Sequence, residues 1–165
     1  MKIRNTEIED LDEVLELYAA ARDFMHTHGN PNQWVKGYPQ KDLITREIEE
    51  GKSFVCLDNQ KIVAVFSLIR GIEPTYLKIY DGKWLDDEPY GTVHRICVGQ
   101  QGSGAGAYCL QWCLEQCGNI RIDTHRDNLP MQNLLKKCGY TYCGWITIED
   151  GSERIAFQKK MAARK

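Results

Sequence analysis

The sequence predicts an α/β domain built on a mixed sheet, and three observations point there. The spacing of apolar residues switches repeatedly between the helical period and the alternation of a strand. Two short polar dipeptides, Asn59-Gln60 and Asp150-Gly151, stand between alternating runs and read as hairpin turns. A glycine cluster at 102–106 separates a strand pattern from a helix pattern. The resulting order is β-α-α-β-β-β-α-β-α-β-β, with no linker-like stretch inside it.

The elements follow in turn. Lys2 to Asn5 reads as a short strand. Thr6-Glu7-Ile8-Glu9 reads as a capping box, with the Thr6 hydroxyl accepting an amide hydrogen and Glu9 reaching back. A helix to about Thr27 is expected from the stripe Leu11, Val14, Leu15, Tyr18, Ala21 and Met25, with Gly29 as its stop. Asn30 to Pro39 is rich in turn residues and carries Trp34 and Tyr38. A second helix spans about Gln40 to Glu50 and ends at Gly51. Strands are expected at Ser53 to Asp58, Lys61 to Arg70 and Thr92 to Val98, with an irregular polar stretch from Gly71 to Pro89. A helix opened by the glycine cluster reaches about Cys117. Asn119 to Thr124 is a strand, and Asn128 to Cys138 is a helix closed by Gly139. Tyr140 to Ile148 and Glu153 to Met161 form the last pair of strands.

Composition narrows the function classes. The 165 residues fit one domain, read as 1–165, and such a chain needs no disulfide or metal to hold a core. The net charge of −2 argues against a nucleic-acid footprint or a polybasic membrane surface. No apolar run is long enough to span a bilayer, and the first residues lack the apolar core of a secretory signal. Seven cysteines, an odd number lying mostly in apolar runs and never as C-x-x-C, read as reduced thiols in a cytoplasmic protein without a metal site. Cys109, Cys113 and Cys117 fall along one helical stripe and read as small core residues. His26 and His28 are two apart and share no helix face. Trp84 and Asp86-Asp87-Glu88 precede the third of these strands and read as a solvated acidic loop.

The stretch richest in chemistry is Val93-His94-Arg95-Ile96-Cys97-Val98, followed by Gly99-Gln100-Gln101-Gly102-Ser103-Gly104-Ala105-Gly106-Ala107. A strand runs through a glycine turn into a helix N-terminus. There, unpaired N–H groups and the positive end of the helix dipole converge on any anion. No Lys follows the glycines, so this is not a P-loop. Gly102, Gly104 and Ala107, with Asp123 about 20 residues on, satisfy the dinucleotide fingerprint and keep an NAD(P)-binding oxidoreductase open. Gln101, Gly104 and Gly106 also satisfy Q/R-x-x-G-x-G/A.

With that last pattern the chain resembles the GNAT superfamily of acetyl-CoA-dependent N-acetyltransferases, over nearly its whole length. The element order matches. Asn128-Leu129-Pro130-Met131-Gln132-Asn133-Leu134-Leu135-Lys136-Lys137-Cys138-Gly139-Tyr140 is similar to that family's N-x-x-A-x-x-L-Y-x-x-x-G-F stretch.

The resemblance implies a GNAT-like acyl-CoA N-acyltransferase fold with acetyl-CoA as cosubstrate. The amides of Gly102, Ser103, Gly104, Ala105, Gly106 and Ala107 would hold the pyrophosphate, behind Gln101. The backbone of Ile96, Cys97 and Val98 would pair with the pantetheine arm and supply the oxyanion donor. Asn128 would bond a pantetheine amide or serve as an ordinary N-cap. His94 would act as general base, since some relatives carry a working His there. Strand alternation puts Thr92, His94 and Ile96 on one face, and imidazole titrates near about 6.5 in solution. Where the family often has a Tyr general acid this chain has Leu135, so that role stays unassigned between Tyr140, Tyr142 and water. The same gap keeps a non-catalytic acyl-CoA sensor open. Trp34 and Tyr38 would wall the acceptor site or cap the core. The acceptor would be a small-molecule or peptide amine, and a homodimer through late strands is a further expectation of the resemblance.

Overall fold

The computed structural model describes residues 1–162. Seven strands and four helices follow in the expected order: β1 (Lys2–Asn5), α1 (Leu11–Thr27), α2 (Lys41–Glu49), β2 (Ser53–Asp58), β3 (Lys61–Arg70), β4 (Gly91–Val98), α3 (Ala105–Cys117), β5 (Asn119–Thr124), α4 (Leu129–Lys137), β6 (Thr141–Thr147) and β7 (Glu153–Lys160). Strand order in the sheet is β1-β2-β3-β4-β5-β7-β6. The pairs β1–β2, β2–β3, β5–β7 and β6–β7 are antiparallel, and β4–β5 is parallel. A parallel pair needs a long crossover, which α3 supplies. A mixed sheet in this order is not the doubly wound parallel sheet that the dinucleotide fingerprint requires. The NAD(P) reading is therefore set aside.

The chain forms two compact units. The first comprises Met1–Leu68 and His94–Cys109. Its hairpin β2–β3 turns at Asn59 and Gln60, both in the left-handed region at φ +50° and +67°, as a type I′ turn requires. The core gathers Val14 and Tyr18 of α1, Ile44 of α2, Val55, Ile62 and Val65 of the hairpin, and Cys97 of β4. Trp34 joins them at 8% exposure and meets the Tyr18 ring edge-on.

The capping box before α1 sits one residue later than the sequence suggests. A short 3-10 turn (Ile8–Asp10) opens the helix. The Glu7 amide donates to the Asp10 carboxylate at 2.8 Å, and Asp10 also pairs with Arg4, which holds its carboxyl below the usual range. Thr6 is instead buried, its hydroxyl 2.8 Å from that of Ser53. A cross-strand partner thus outcompetes the helix for the Thr6 hydroxyl.

The second unit comprises Ile69–Val93 and Leu110–Lys165. Tyr76, Ile146 and Ala156 form an apolar cluster with Ile79, Trp84, Tyr90 and Ile148 packed against it. The acidic run after Trp84 is only partly solvated: Asp87 and Glu88 are exposed, but Asp86 is tied down. Asp86 pairs with Lys160 and accepts from Gln158 and Asn119, and its carbonyl accepts from Arg121 at 2.7 Å. The Arg121 guanidinium lies over the Trp84 and Tyr90 rings, 4.3 and 4.1 Å from their centroids. At the outer side of β6, the Trp145 amide and carbonyl exchange hydrogen bonds with Tyr80 at 3.0 and 2.8 Å. The Trp145 indole donates to Asp81.

That bridge depends on glycine. A Cβ on Gly82 would lie 1.9 Å from the Cys143 carbonyl oxygen, and one on Gly144 (φ +140°) would lie 2.4 Å from that of Tyr80. Backbone cannot yield as a side chain can, so Gly82→Ala is expected to cost about 1–3 kcal/mol. Urea denaturation checks this, and an unchanged midpoint would contradict the close approach.

Candidate active site

The candidate active site of the first unit is one continuous segment, His94 to Ala107. The second half of β4 is not regular strand. Arg95 sits at φ +53°, a left-handed conformation costly for a residue other than glycine by roughly 1–3 kcal/mol. Strict alternation therefore stops at Arg95. Thr92 and His94 precede the break and keep their alternation, whereas the inference that Ile96 shares their face does not carry across it. The thiol of Cys97 faces the core, where burial pushes it up, so only the backbone of Cys97 is available to a ligand. Just beyond, the Gly99 amide donates to the Val63 carbonyl at 2.8 Å and anchors the exit of β4 on β3.

Gln101 to Gly104 are exposed. Gly102 and Gly104 adopt φ +79° and +84°, with open space where a Cβ would stand. Glycine is needed there for conformation, not for packing. The Ser103 hydroxyl accepts from the Ala105 amide at 3.3 Å. The amides of Ala105, Gly106 and Ala107 belong to the first turn of α3, where no intrahelical acceptor exists. A row of backbone donors on a loop without side-chain obstruction, at the positive end of a 13-residue helix, fits the pyrophosphate of a coenzyme A.

Behind His94, the Arg95 side chain turns into the unit. Its guanidinium donates to the Glu47 carboxylate of α2, to the Tyr38 hydroxyl at 2.7 Å and to the Ser67 hydroxyl at 3.1 Å. Ser67 in turn donates to Glu47 at 2.6 Å. The side chains of Arg95 and Glu47 are 7% and 6% exposed. Tyr38 is thus tied to the β4 break, while Trp34 belongs to the core, meeting Tyr38 edge-on at 6.3 Å. Neither Arg95 nor Glu47 stood out in the sequence. The signal was nonetheless present: an Arg amid apolar strand residues, and a Glu three residues after the core Ile44 on one helix.

The remaining candidates lie in the second unit. Asn128 is the N-cap of α4, its side chain accepting from the Met131 amide at 3.2 Å. Leu135 is fully buried on the same helix, while Lys136 and Lys137 are exposed. Tyr140 is buried and its phenol is pushed up, first by burial and then by Cys113 and Cys138; Tyr142 is exposed. Asp123 accepts from the Tyr76 hydroxyl at 2.6 Å. Among the described residues, no group of three or more His, Cys, Asp or Glu side chains is arranged to hold a metal ion, and no helix is long and apolar enough to cross a membrane. No disulfide joins any of the seven cysteines.

His125 titrates in a defined setting. Its Nδ1 accepts the Asp127 amide hydrogen at 3.0 Å. Burial lowers its pKa, as do Arg154 and Arg126, against the opposing pull of the Asp127 carboxylate. A histidine harder to protonate folded than unfolded binds fewer protons in the native state. Its contribution is therefore fully present above the unfolded pKa and is lost as pH falls from about 6.5 toward the depressed folded value. His125→Asn is expected to flatten the melting-temperature profile in that window. A variant profile parallel to that of the parent chain would refute the assignment.

Comparison with known proteins bears on the family and the fold. The family model described as Acetyltransferase (GNAT) family matches residues 11–140. No curated protein matches in sequence. Among solved structures, an acetyltransferase of the GNAT family from Streptococcus agalactiae is 34% identical, with TM-score 0.91 over 98% of this chain and 96% of that one. A Salmonella typhimurium protein solved with its cofactor acetyl-CoA superposes at TM-score 0.65 with 14% identity, covering 99% of this chain and 95% of that one. A ribosomal-protein-alanine N-acetyltransferase from Brucella melitensis superposes at TM-score 0.66 with 15% identity, covering 98% and 100%. The last two are alike in fold alone.

Proposed function

Because this chain belongs to the acetyltransferase (GNAT) family, we propose that it transfers the acetyl group of acetyl-CoA to a primary amine by direct attack within a ternary complex. The observation that carries the reading is the continuous segment from His94 to Ala107, which sets a histidine, a run of strand backbone and a glycine-lined helix N-terminus in succession. The amides of Gly102 to Ala107 bind the pyrophosphate, behind Gln101. The backbone of Ile96 to Val98 pairs with the pantetheine arm and presents an N–H to the thioester oxygen.

The acceptor is a small molecule or a peptide carrying an amine. An amine attacks only when neutral, so a proton must leave nitrogen as the C–N bond forms. His94 is the residue of the segment chemically able to take it. The C–S bond then breaks and coenzyme A leaves as thiolate. Leu135 has no proton to give and the Tyr140 phenol is buried, so the thiolate takes its proton from water or from the exposed Tyr142. The catalytic gain then rests on orientation and on charge stabilisation at the carbonyl oxygen. The absence of disulfides among seven cysteines supports a reducing, cytoplasmic setting.

Two measurements test this. Acetyl-CoA at about 100 times its dissociation constant is expected to stabilise the fold by about 2.7 kcal/mol, a shift of several degrees in melting temperature, while NAD gives none. Gly104→Val, which forces a β-branched residue into left-handed backbone, is expected to weaken that binding about tenfold. His94→Gln is expected to lower turnover with an amine panel by about 100-fold at unchanged acetyl-CoA affinity. Wild-type turnover in His94→Gln at saturating substrate would remove His94 from the base role.

A further inference from the structure

We propose that Arg95 is a positioning residue, whose clamped guanidinium locks the left-handed break in β4 and so fixes where His94 and the amides of Ile96 to Val98 point. The inference rests on the reading of that segment as the reacting one.

Four observations converge on it. Arg95 is the only described strand residue other than glycine in the left-handed region. Its neighbours on both sides are the proposed base and the first proposed pantetheine-pairing residue. Its side chain is buried and is held from three elements at once: Glu47 on α2, Ser67 on β3 and Tyr38 on the loop between α1 and α2. Tyr38 also lies under the guanidinium, 5.9 Å from ring centroid to Cζ.

The physical logic is a lever. Backbone left to itself leaves the left-handed region, because a side chain there crowds the carbonyl. An arginine whose two terminal nitrogens are bonded from three directions cannot swing out without stranding a buried charge on Glu47. The guanidinium therefore holds the turn, and the turn sets the orientation of the residues on either side. Nothing about Arg95 requires it to touch either substrate.

Removing Arg95 alone would leave the Glu47 carboxylate buried and unpaired and could unfold the chain. The informative variant is thus Arg95→Met/Glu47→Gln, which removes both charges and keeps volume, a replacement that buried ion pairs often tolerate. Three quantities are read on the full-length protein: melting temperature, amide hydrogen exchange of the 94–99 stretch, and kcat with KM for acetyl-CoA. The double variant is expected to melt close to the parent, to exchange about tenfold faster in 94–99, and to lose about tenfold or more in kcat. Arg95→Lys, which restores the charge but not the fork, is expected to recover part of both.

Exchange in 94–99 unchanged from the parent, in a folded double variant, would overturn the proposal. So would faster exchange spread evenly over the whole chain, which is what a merely structural pair would give. If the double variant does not fold, Tyr38→Phe decides the matter, with locally faster exchange in 94–99 expected and an unchanged rate overturning it. If the parent chain itself shows no acetyl transfer, the acetyltransferase reading fails, while the exchange comparison still decides the clamp.

Discussion

A charged guanidinium can enter a small apolar core only if opposite charge and hydrogen-bond acceptors are waiting for it. The first unit is organised around meeting that condition. Glu47 must stand on the inward face of α2, beside Ile44, for its carboxylate to reach Arg95. Ser67 must interrupt the apolar face of β3, and Tyr38 must be brought in by the loop after α1. Three elements distant in sequence are thereby fixed to one point of β4. The apolar cluster of Val14, Tyr18, Trp34, Ile44, Val55 and Val65 closes around that point and excludes water from it.

The second unit solves the same problem differently. Arg121 is buried between the Trp84 and Tyr90 rings, whose electron-rich faces attract the cation. Backbone carbonyl rather than carboxylate oxygen takes its hydrogen bond, at Asp86. The Asp86 side chain is spent on Lys160, Gln158 and Asn119. Gln158 also accepts from the Leu85 amide at 2.8 Å and donates to Asn119 at the same distance. The segment from Leu85 to Glu88, outside any helix or strand, is thus ordered by side chains of β5 and β7.

These differences explain what could be read from the residues. The elements were legible because period and punctuation agree locally: Asn59-Gln60 turns a hairpin, Gly29 and Gly51 stop helices, and Asn128 caps one. The glycine loop was legible because its conformation is imposed by glycine itself. Arg95 was not, since nothing in its propensity favours positive φ; tertiary contacts with Glu47 and Tyr38 impose it. Thr6 carries every mark of a cap, yet Ser53 outbids the helix for its hydroxyl. Asp86 lies in an acidic run that looks solvated, and its partners are 33 and 72 residues away. Trp34 follows turn residues and still completes the core. In each case the deciding partner is remote in sequence, where local pattern has no purchase.

The cysteines acquire a meaning beside the proposed chemistry. Burial pushes up the thiols of Cys56, Cys97, Cys113, Cys117, Cys138 and Cys143, so each resists ionisation. Thiolate, not thiol, attacks a disulfide. A protein that releases coenzyme A works in the presence of a reactive thiol, together with whatever coenzyme A disulfide forms from it. With six thiols pushed up by burial and five of the seven cysteines buried, this chain offers that disulfide few places to exchange. Under the proposed chemistry, packing that fills the core with small apolar groups therefore also shields these thiols from exchange with coenzyme A disulfide.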